Sequence, residues 1–327
     1  MRNHSNNGGI MADSSWLVSV VITTHNRRNL LERALKSVLN QTYKNLEIIV
    51  VDDNSSDDTE DYIRQVMKRD HRVKYKKIPL EETRGGNYAR NTGIRMASGE
   101  TVAFLDDDDE WKPDKTEIQV NYLNDNTRIK AVSCDLEYVY VIGGKEYVSY
   151  SNLKINHQPY DFFVSSWMNV TSTMMIYKGI LDAIGGFDEN IPAIQEIELS
   201  YRVCMSCEVD IIKKPLIRYY QYLGNSTQIT NNVNKYLLAL NYIETKFEKE
   251  LACLTTDQRQ RLEQNNIRNV SYRYLRSNCR KEYRKTLKPF LKNNGLKNWL
   301  EYILSFLFKY EIITKLESKL YVLKKRK

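Results

Sequence analysis

Two runs of aspartate each follow directly on an apolar run: IIVVDDNSSDD at residues 48–58 and TVAFLDDDDEW at 101–111. Two carboxylates about 4 Å apart repel by about 4 kcal/mol near a protein surface, and by more in a drier setting. Such crowding is best relieved by a cation or a hydrogen-bonding ligand between them. In extended chain, residues two apart point the same way, so Asp106 and Asp108 share one side and Asp107 and Asp109 the other. A same-side pair is a seat for Mg²⁺ or Mn²⁺, which take carboxylate oxygen and keep positions open for water and phosphate. Zinc does not suit the run, because the chain has 4 His and none adjoins it in sequence. A solvated acidic turn is the plainer alternative, and the buried strand before the run argues against it.

Asp53 can accept a hydrogen bond from a base or ribose, as carboxylates at strand ends do in dinucleotide folds. It can equally cap a helix that starts near Ser56. Arg84 and Arg90 lie in TRGGNYARN. There the glycines let backbone approach a ligand, and an arginine can pair with phosphate.

These residues need elements to hold them. LVSVVI at 17–22 is a short Val-rich run of the kind buried on both faces of a sheet. NLLERALKSVLNQ places Leu31, Leu35, Val38 and Leu39 on one helical face, with Asn29 and Glu32 spaced as a capping box. The alternation continues: LEIIVVD as strand, Ser55/Ser56 to about Met67 as helix, VKYKKI as strand, GGNYARNTGIRMA as helix and TVAFL as strand. Strand and helix alternating at this spacing imply βαβ units and a largely parallel sheet, whose ligands sit beyond the carboxyl ends of the strands. Both aspartate runs fall there. Farther on, KAVSCDLEYVYV suits a longer strand, residues 143–168 are turn-rich, and NVTSTMMIY (169–177) reads as strand. KGILDAIGGF reads as a helix with a glycine stop and IQEIELSYRVCMS as a further helix.

The chain of 327 residues is 42% hydrophobic and 28% charged, which fits a globular protein with ample core. Residues 1–15 are polar and read as a disordered tail. Order is expected over 16–229, and 230–327 as a helical appendage rich in Lys, Arg and Tyr. The net charge of +8 is uneven, with acid concentrated early and KKRK at the end. No basic stripe with interleaved aromatics marks the first 230 residues, so no nucleic-acid partner is expected. Five cysteines form no disulfide framework, and Cys204 and Cys207 read as inert thiols on a helix. Without a secretory segment or an apolar span of membrane length, a cytoplasmic location is expected.

Three stretches, in this order, carry a family likeness: VSVVITTHNRRNLLERALKSVLNQTYKNLEIIVVDDNSSDDT, ARNTGIRMASGETVAFLDDDDEWKPDK and GGFDENIPAIQEIELSYR. Together they resemble the inverting glycosyltransferases of family 2, over about residues 16–225. The resemblance implies a GT-A fold, a Rossmann-like α/β/α sandwich with a mostly parallel central sheet. It implies Thr24, Asn26 and Asp53 at the nucleoside, usually uridine, and Arg90 near the nucleotide. Asp106, Asp107 and Asp108 would form the DxD-type motif, with Asp108 the direct ligand of Mn²⁺ or Mg²⁺. A carboxylate in the GGF segment would be the catalytic base. Position matches Glu196 to it, and Glu196 also shares a helical side with Leu199 and Val203. Glu198 is the second candidate; it points away and is spaced to pair with Arg202 as an ordinary surface pair. Two departures stand out. Glu replaces the commoner Asp at the base, and Leu223 precedes Gly224 where relatives often carry His.

The function so implied is metal-assisted transfer of a sugar from a nucleotide donor to a glycan or polyprenyl-linked acceptor. Residues 295–327 alternate apolar faces with lysines, suiting either an anionic cytoplasmic leaflet or packing on the domain or in a homodimer. Two other functions compete: a sugar nucleotidyltransferase, whose Gly-rich phosphate loop TTHNRR lacks, and a non-catalytic nucleotide-sugar-binding module.

Overall fold

The computed structural model describes residues 16–155, 158–168, 170–222 and 232–293, with Trp299, residues 302–306, Tyr310 and Ile312. Strands β1 (Val18–Thr24), β2 (Leu46–Asp52), β3 (Val73–Lys77) and β4 (Thr101–Asp106) pair in parallel, in the order β3-β2-β1-β4. Helices α1 (Arg28–Leu39), α2 (Thr59–Met67) and α3 (Gly86–Met96) make the connections. Alternate residues of each central strand enter opposite cores. Val18, Val20 and Ile22 pack with Leu31, Leu35 and Val38, whereas Val21 packs with Ile49, Val51, Ala89 and Ile94. Burial on both faces is why these strands are mostly apolar; Ser19 and Glu47, buried within them, satisfy each other by a hydrogen bond. Each such side chain contributes about 1.5–3 kcal/mol.

Register sets the site. Thr24 lies opposite Asp52, and Thr23 opposite Asp106, so β1, β2 and β4 end level with one another. Both aspartate runs therefore leave the sheet at one edge. Beyond β4 the sheet turns mixed. After β5 (Glu110–Trp111), helix α4 (Lys115–Asp125) leads to the long strand β6 (Ile129–Ile142) and its hairpin partner β7 (Lys145–Tyr150). Strand β8 (Met175–Tyr177) is antiparallel to both β4 and β6. It is followed by α5 (Lys178–Ile184), α6 (Gln195–Ser206) and β9 (Glu208–Tyr222).

Helices α7 (Val233–Lys246), α8 (Glu248–Ala252), α9 (Thr256–Arg276) and α10 (Arg280–Leu287) follow. Tyr236, Ala239, Ile243 and Val270 of α7 and α9 share a core with Phe163, Ile194 and Tyr201. These helices are thus packed on the sheet domain. Most of the 295–327 segment, and Leu223 with Gly224, lie outside the described residues.

Local details differ from sequence expectation where tertiary partners decide. The start of α1 is not capped by Asn29. Its first turn donates the Arg28 N–H to Asp57 Oδ2 at 3.2 Å, and Glu32 is taken by Arg28 and Lys36 at 2.7 and 2.6 Å. Helix α2 starts at Thr59 rather than Ser56, with Asp57 accepting from the Thr59 hydroxyl at 2.6 Å. The expected strand over 169–177 is confined to β8. Thr171–Thr173 forms a 3₁₀ turn, which aims Ser172 at the acidic loop.

Gly93 lets α3 approach β1. A Cβ there would stand 2.3 Å from Val21 Cγ1. Gly93→Ala improves helix propensity by about 1 kcal/mol yet overpacks this contact, which costs about 1–3 kcal/mol in a dense core. A lower melting temperature is expected by circular dichroism; a higher one would show that α3 can move away from β1 without loss.

Candidate active site

Four carboxylates in a row do not remain extended. Strand β4 stops at Asp106, and the Asp109 N–H donates to the Asp106 carbonyl at 3.1 Å, closing a turn. The chain must reverse here so that β5 can pair with β9. The expected alternation, Asp106 with Asp108 against Asp107 with Asp109, is therefore replaced by a turn in which Asp107 and Asp108 share Arg27 while Asp106 and Asp109 face other partners.

Asp106 accepts from the buried Arg90 guanidinium at 2.6 Å. Asp107 accepts from the Thr24 hydroxyl at 2.8 Å and from Arg27 at 3.2 Å. Asp109 is fully buried; Oδ2 accepts from the Ser172 hydroxyl at 2.5 Å, and Oδ1 has no hydrogen-bond partner. Asp108 is the least committed: 25% of its side chain is exposed and its one ion pair among the described residues is with Arg27 at 3.5 Å, while its own backbone N–H and the Arg33 charge also act on it. Burial, then the neighbouring Asp108 charge, pushes the Asp107 carboxyl up to about 7 despite Arg27 and Thr24. Burial and Asp106 raise Asp108 as well.

Asp53 is not a helix cap, since α2 starts six residues later. Its Oδ1 is buried with no partner, and burial raises its carboxyl, with Asp52 adding to the effect. Asp52 is instead structural, accepting from the Ser55 N–H and the Tyr75 hydroxyl, each at 2.7 Å. Asn26 sits at φ 52° and braces two loops: its Oδ1 accepts from the Ser56 N–H at 2.7 Å, and its own N–H donates to Ser55 Oγ at 2.8 Å. Arg84 is not drawn in. Its guanidinium lies 5.2 Å from the Tyr88 ring centroid, on the exposed side of α3. Thr24, Asn26, Asp53, Arg90 and Asp106–Asp108 therefore converge on one edge, and Arg84 stands at its margin.

The GGF segment is held against α3. Asn91 accepts from the Phe187 N–H at 2.7 Å and donates to the Phe187 carbonyl at 2.9 Å and to Glu189 at 2.8 Å. One turn earlier, Asn87 donates to the Asp188 carbonyl at 2.8 Å. Gly186, at φ 68°, meets Asn91 where a Cβ would stand 2.4 Å from Oδ1. Ile194, buried at φ 51°, then turns the chain into α6. A β-branched residue in that conformation is strained and persists only where packing over-determines it.

The two glutamates of α6 differ sharply. Glu198 is fully buried, paired with Arg202 at 2.5 Å and Lys246 at 2.8 Å. The expected Arg202 pair is present, but it is not a surface pair, because α7 covers that side of α6. Glu196 has no ion pair within 4 Å among the described residues. Its carboxyl is raised chiefly by burial, against its own backbone hydrogen bond and the Arg90 charge, with Asp106 adding to the rise and Arg273 opposing it.

The Glycosyl transferase family 2 model matches residues 19–184, just over half of the chain. The chain belongs to this family. Over 93 residues it is 52% identical to the GalNAc(5)-diNAcBac-PP-undecaprenol beta-1,3-glucosyltransferase of Campylobacter jejuni, covering 28% of this chain and 30% of that protein. Over 112 residues it is 42% identical to the putative teichuronic acid biosynthesis glycosyltransferase TuaG of Bacillus subtilis, covering 34% and 44%. Over 111 residues it is 38% identical to the UDP-Glc:alpha-D-GlcNAc-diphosphoundecaprenol beta-1,3-glucosyltransferase WfgD of Escherichia coli, covering 34% and 42%. Each match spans less than half of the relative's length.

Among solved structures, the mannosyltransferase PcManGT from Pyrobaculum calidifontis, in complex with GDP-Man and Mn²⁺, aligns with TM-score 0.58 at 17% identity. That alignment covers 94% of this chain and 85% of that one. S. aureus TarS in complex with UDP-GlcNAc aligns with TM-score 0.53 at 13% identity, over 85% and 92%. The fold is the GT-A fold expected of family 2. The family match stops before α6, so the choice of Glu196 stands on position and geometry.

Sequence reasoning missed Arg27, Arg33, Asn91 and Ser172. Arg33 donates to the Asp108 carbonyl at 2.5 Å, and Ser172 also accepts from the Asp106 N–H at 3.1 Å. Only the arginines carried a signal, in that a buried acidic run requires cations near it.

A carboxyl whose folded value is raised loses stability as pH rises, here between about 4 and 7 for Asp107. Every tenfold rise in the proton affinity of the folded protein corresponds to about 1.4 kcal/mol. In chelator-treated protein above neutral pH, Asp107→Asn should therefore stabilise the fold by roughly 1–3 kcal/mol, with no gain below pH 4. Urea melts across pH test this, and equal melts at alkaline pH would show that Asp107 is not repelled.

Proposed function

We propose that this chain is an inverting glycosyltransferase that moves a sugar from a nucleoside-diphosphate donor, of the UDP type expected from sequence, to a hydroxyl of a lipid-linked glycan. The observation that carries the proposal is Glu196 in the first turn of α6, its carboxyl raised chiefly by burial, in the field of Arg90 and Asp106 and also of Arg273, with no ion pair within 4 Å among the described residues. A base needs to be desolvated, unpaired and within reach of both substrates. Glu198 meets only the first requirement.

The acceptor class is argued from the relatives, two of which are named for diphosphoundecaprenol-linked substrates. On this proposal Asp53 Oδ1, buried and unpartnered, accepts from the nucleoside. Thr24 and Arg27 fix Asp107. Asp108, the freest of the four carboxylates, would hold Mn²⁺ or Mg²⁺ with Asp106 beside it. Among the described residues no group of three or more His, Cys, Asp or Glu side chains forms a complete cage. That fits an ion held by one or two carboxylates plus substrate phosphates, the usual way Mg²⁺ binds. Such an ion, when bound, offsets negative charge on the leaving diphosphate. Glu196 removes the proton from the acceptor hydroxyl as its oxygen attacks the anomeric carbon, and the bond to the diphosphate breaks on the opposite face. One displacement inverts the centre, as it does in inverting hydrolases.

Glu196→Gln should lower transfer by at least about a hundredfold, the scale of general-base contributions, while UDP still binds. The acid limb of the wild-type pH–rate profile should lie above the ordinary glutamate value of about 4.3. Glu198→Gln should do the reverse, losing roughly 3–5 kcal/mol of stability as Lys246 and Arg202 lose their partner, with per-molecule activity kept at low temperature. Full activity in Glu196→Gln would remove the assignment.

Contact with an anionic membrane surface belongs to the same proposal. Trp299, Ile303 and Phe306 are 43%, 54% and 56% exposed. Phe306 docks under Arg284 of α10, near which Lys281, Lys285 and Lys288 are also exposed. Aromatic and basic groups side by side suit an interfacial helix. Ile303→Asp with Phe306→Asp should reduce co-sedimentation with phosphatidylglycerol vesicles severalfold; undiminished binding would place this face against protein.

A further inference from the structure

Helices α6, α7 and α9 and the 3₁₀ turn at Asp161–Phe163 line a partly open cavity of about 390 Å³. Its size is that of a small-molecule site. Aromatic rings of Phe162, Tyr201, Tyr236 and Tyr272 line it. The wall contributed by α9 is polar: Asn265, Asn266 and Asn269 all face the cavity, with Arg268 beside them. These positions share one face at helical spacing, where α9 lies over the apolar cluster of α7. Asn265, Arg268 and Asn269 are exposed, so α9 forms the open mouth, and Asn265 already donates to the Val164 carbonyl at 2.9 Å. Amides at a mouth opposite aromatic rings match a ligand that offers hydroxyls at its edges and C–H groups on its faces.

The cavity adjoins the proposed base. Ile197, next to Glu196, lines it, and so does Tyr236. The Glu196 charge acts on the Tyr236 hydroxyl, and Arg273 stacks 3.5 Å from the Tyr236 ring centroid. Glu196 also lies in the field of Arg90 and Asp106. Glu196 is not itself a lining residue, so the cavity begins one residue beyond it, at Ile197.

We propose that the cavity between α6, α7 and α9 binds the acceptor as a saccharide, one sugar ring seated between the aromatic residues and the asparagines of α9. The inference rests on the transferase proposal for the position of the base, but the binding it asserts can be measured without catalysis.

The test uses p-nitrophenyl glycosides of N-acetylglucosamine and N-acetylgalactosamine as probes, with saturation-transfer NMR on the full chain. At least one glycoside should bind the wild-type protein in the presence of excess UDP. Asn266→Leu with Asn269→Leu should weaken that binding at least tenfold. Asn266→Leu alone, which leaves the Asn269 contact to Tyr236 in place, should weaken it in the same direction, and thermal melts of both variants should match wild type. Equal binding in the variants, displacement of the glycoside by UDP, or no binding of either probe would overturn the cavity assignment. UDP binding followed separately by thermal shift keeps the two proposals apart. Its absence from wild-type protein would sink the donor side alone.

Discussion

The fold is organised around a charge problem at the end of β4. Asp106, Asp107, Asp108 and Asp109 follow one another where the chain turns, and Asp107 and Asp109 are buried. Three arginines answer them: Arg27 at the start of α1, Arg33 one and a half turns on, and Arg90 in α3. Removing one partner of a buried pair leaves an uncompensated charge, and even intact pairs add little to stability after desolvation. The arrangement is therefore poor as a stabilising device. It makes sense as a site that gathers carboxyls at a strand edge, ready for a counter-charge, with Asp108 held by the longest of the ion pairs there.

Arg90 couples this edge to the rest of the site. Its guanidinium is paired with Asp106, and its charge also lowers the Glu196 carboxyl, which burial raises. Asp106 acts on the same carboxyl in the opposite sense, raising it. The same helix, α3, holds the GGF segment through Asn87 and Asn91, one turn apart. One rigid element thus positions the acidic edge and the loop that leads to α6. Gly93 is what lets that element lie directly on β1.

The central strands and helices were legible because their chemistry is local. A strand buried on both faces must be nearly all apolar, and VVI (20–22), IIVV (48–51) and VAFL (102–105) are so, while the buried polar exceptions Ser19 and Glu47 bond each other. The level ends of β1, β2 and β4 followed from the parallel order. Asp53 and Glu196 were legible as candidates by position; among the described residues neither carboxylate forms an ion pair within 4 Å, and Asp53 Oδ1 has no hydrogen-bond partner. The acidic turn was not legible, because period-two reasoning presumes an extended chain and β4 ends at Asp106. Nor was the start of α1, whose Arg28 N–H is met by Asp57 across a loop. Ser172 and Asn91 carry no local signal; their roles come from residues 63 or more positions away, brought close only by folding. The burial of Glu198 depended in the same way on α7, whose docking no spacing within α6 predicts.

The C-terminal helices change what the sheet domain can do. Lys246 of α7 bonds both Asp188 in the GGF segment and Glu198 in α6. Burial alone would raise the Asp188 carboxyl, but Lys246 and Tyr242 bring it down to about 2. That stability is present above the unfolded carboxylate range and is lost only as pH falls through about 2. The link ties α7 to the two segments on either side of Ile194, whose left-handed backbone needs such support. Glu196, two residues on, inherits its direction from that strained turn. The part of the chain that matches the family stops at residue 184, before Ile194, Glu196, α7 and α9. The acidic edge thus lies within the matched part, whereas the direction of Glu196 and the helices around it are set by residues beyond that part.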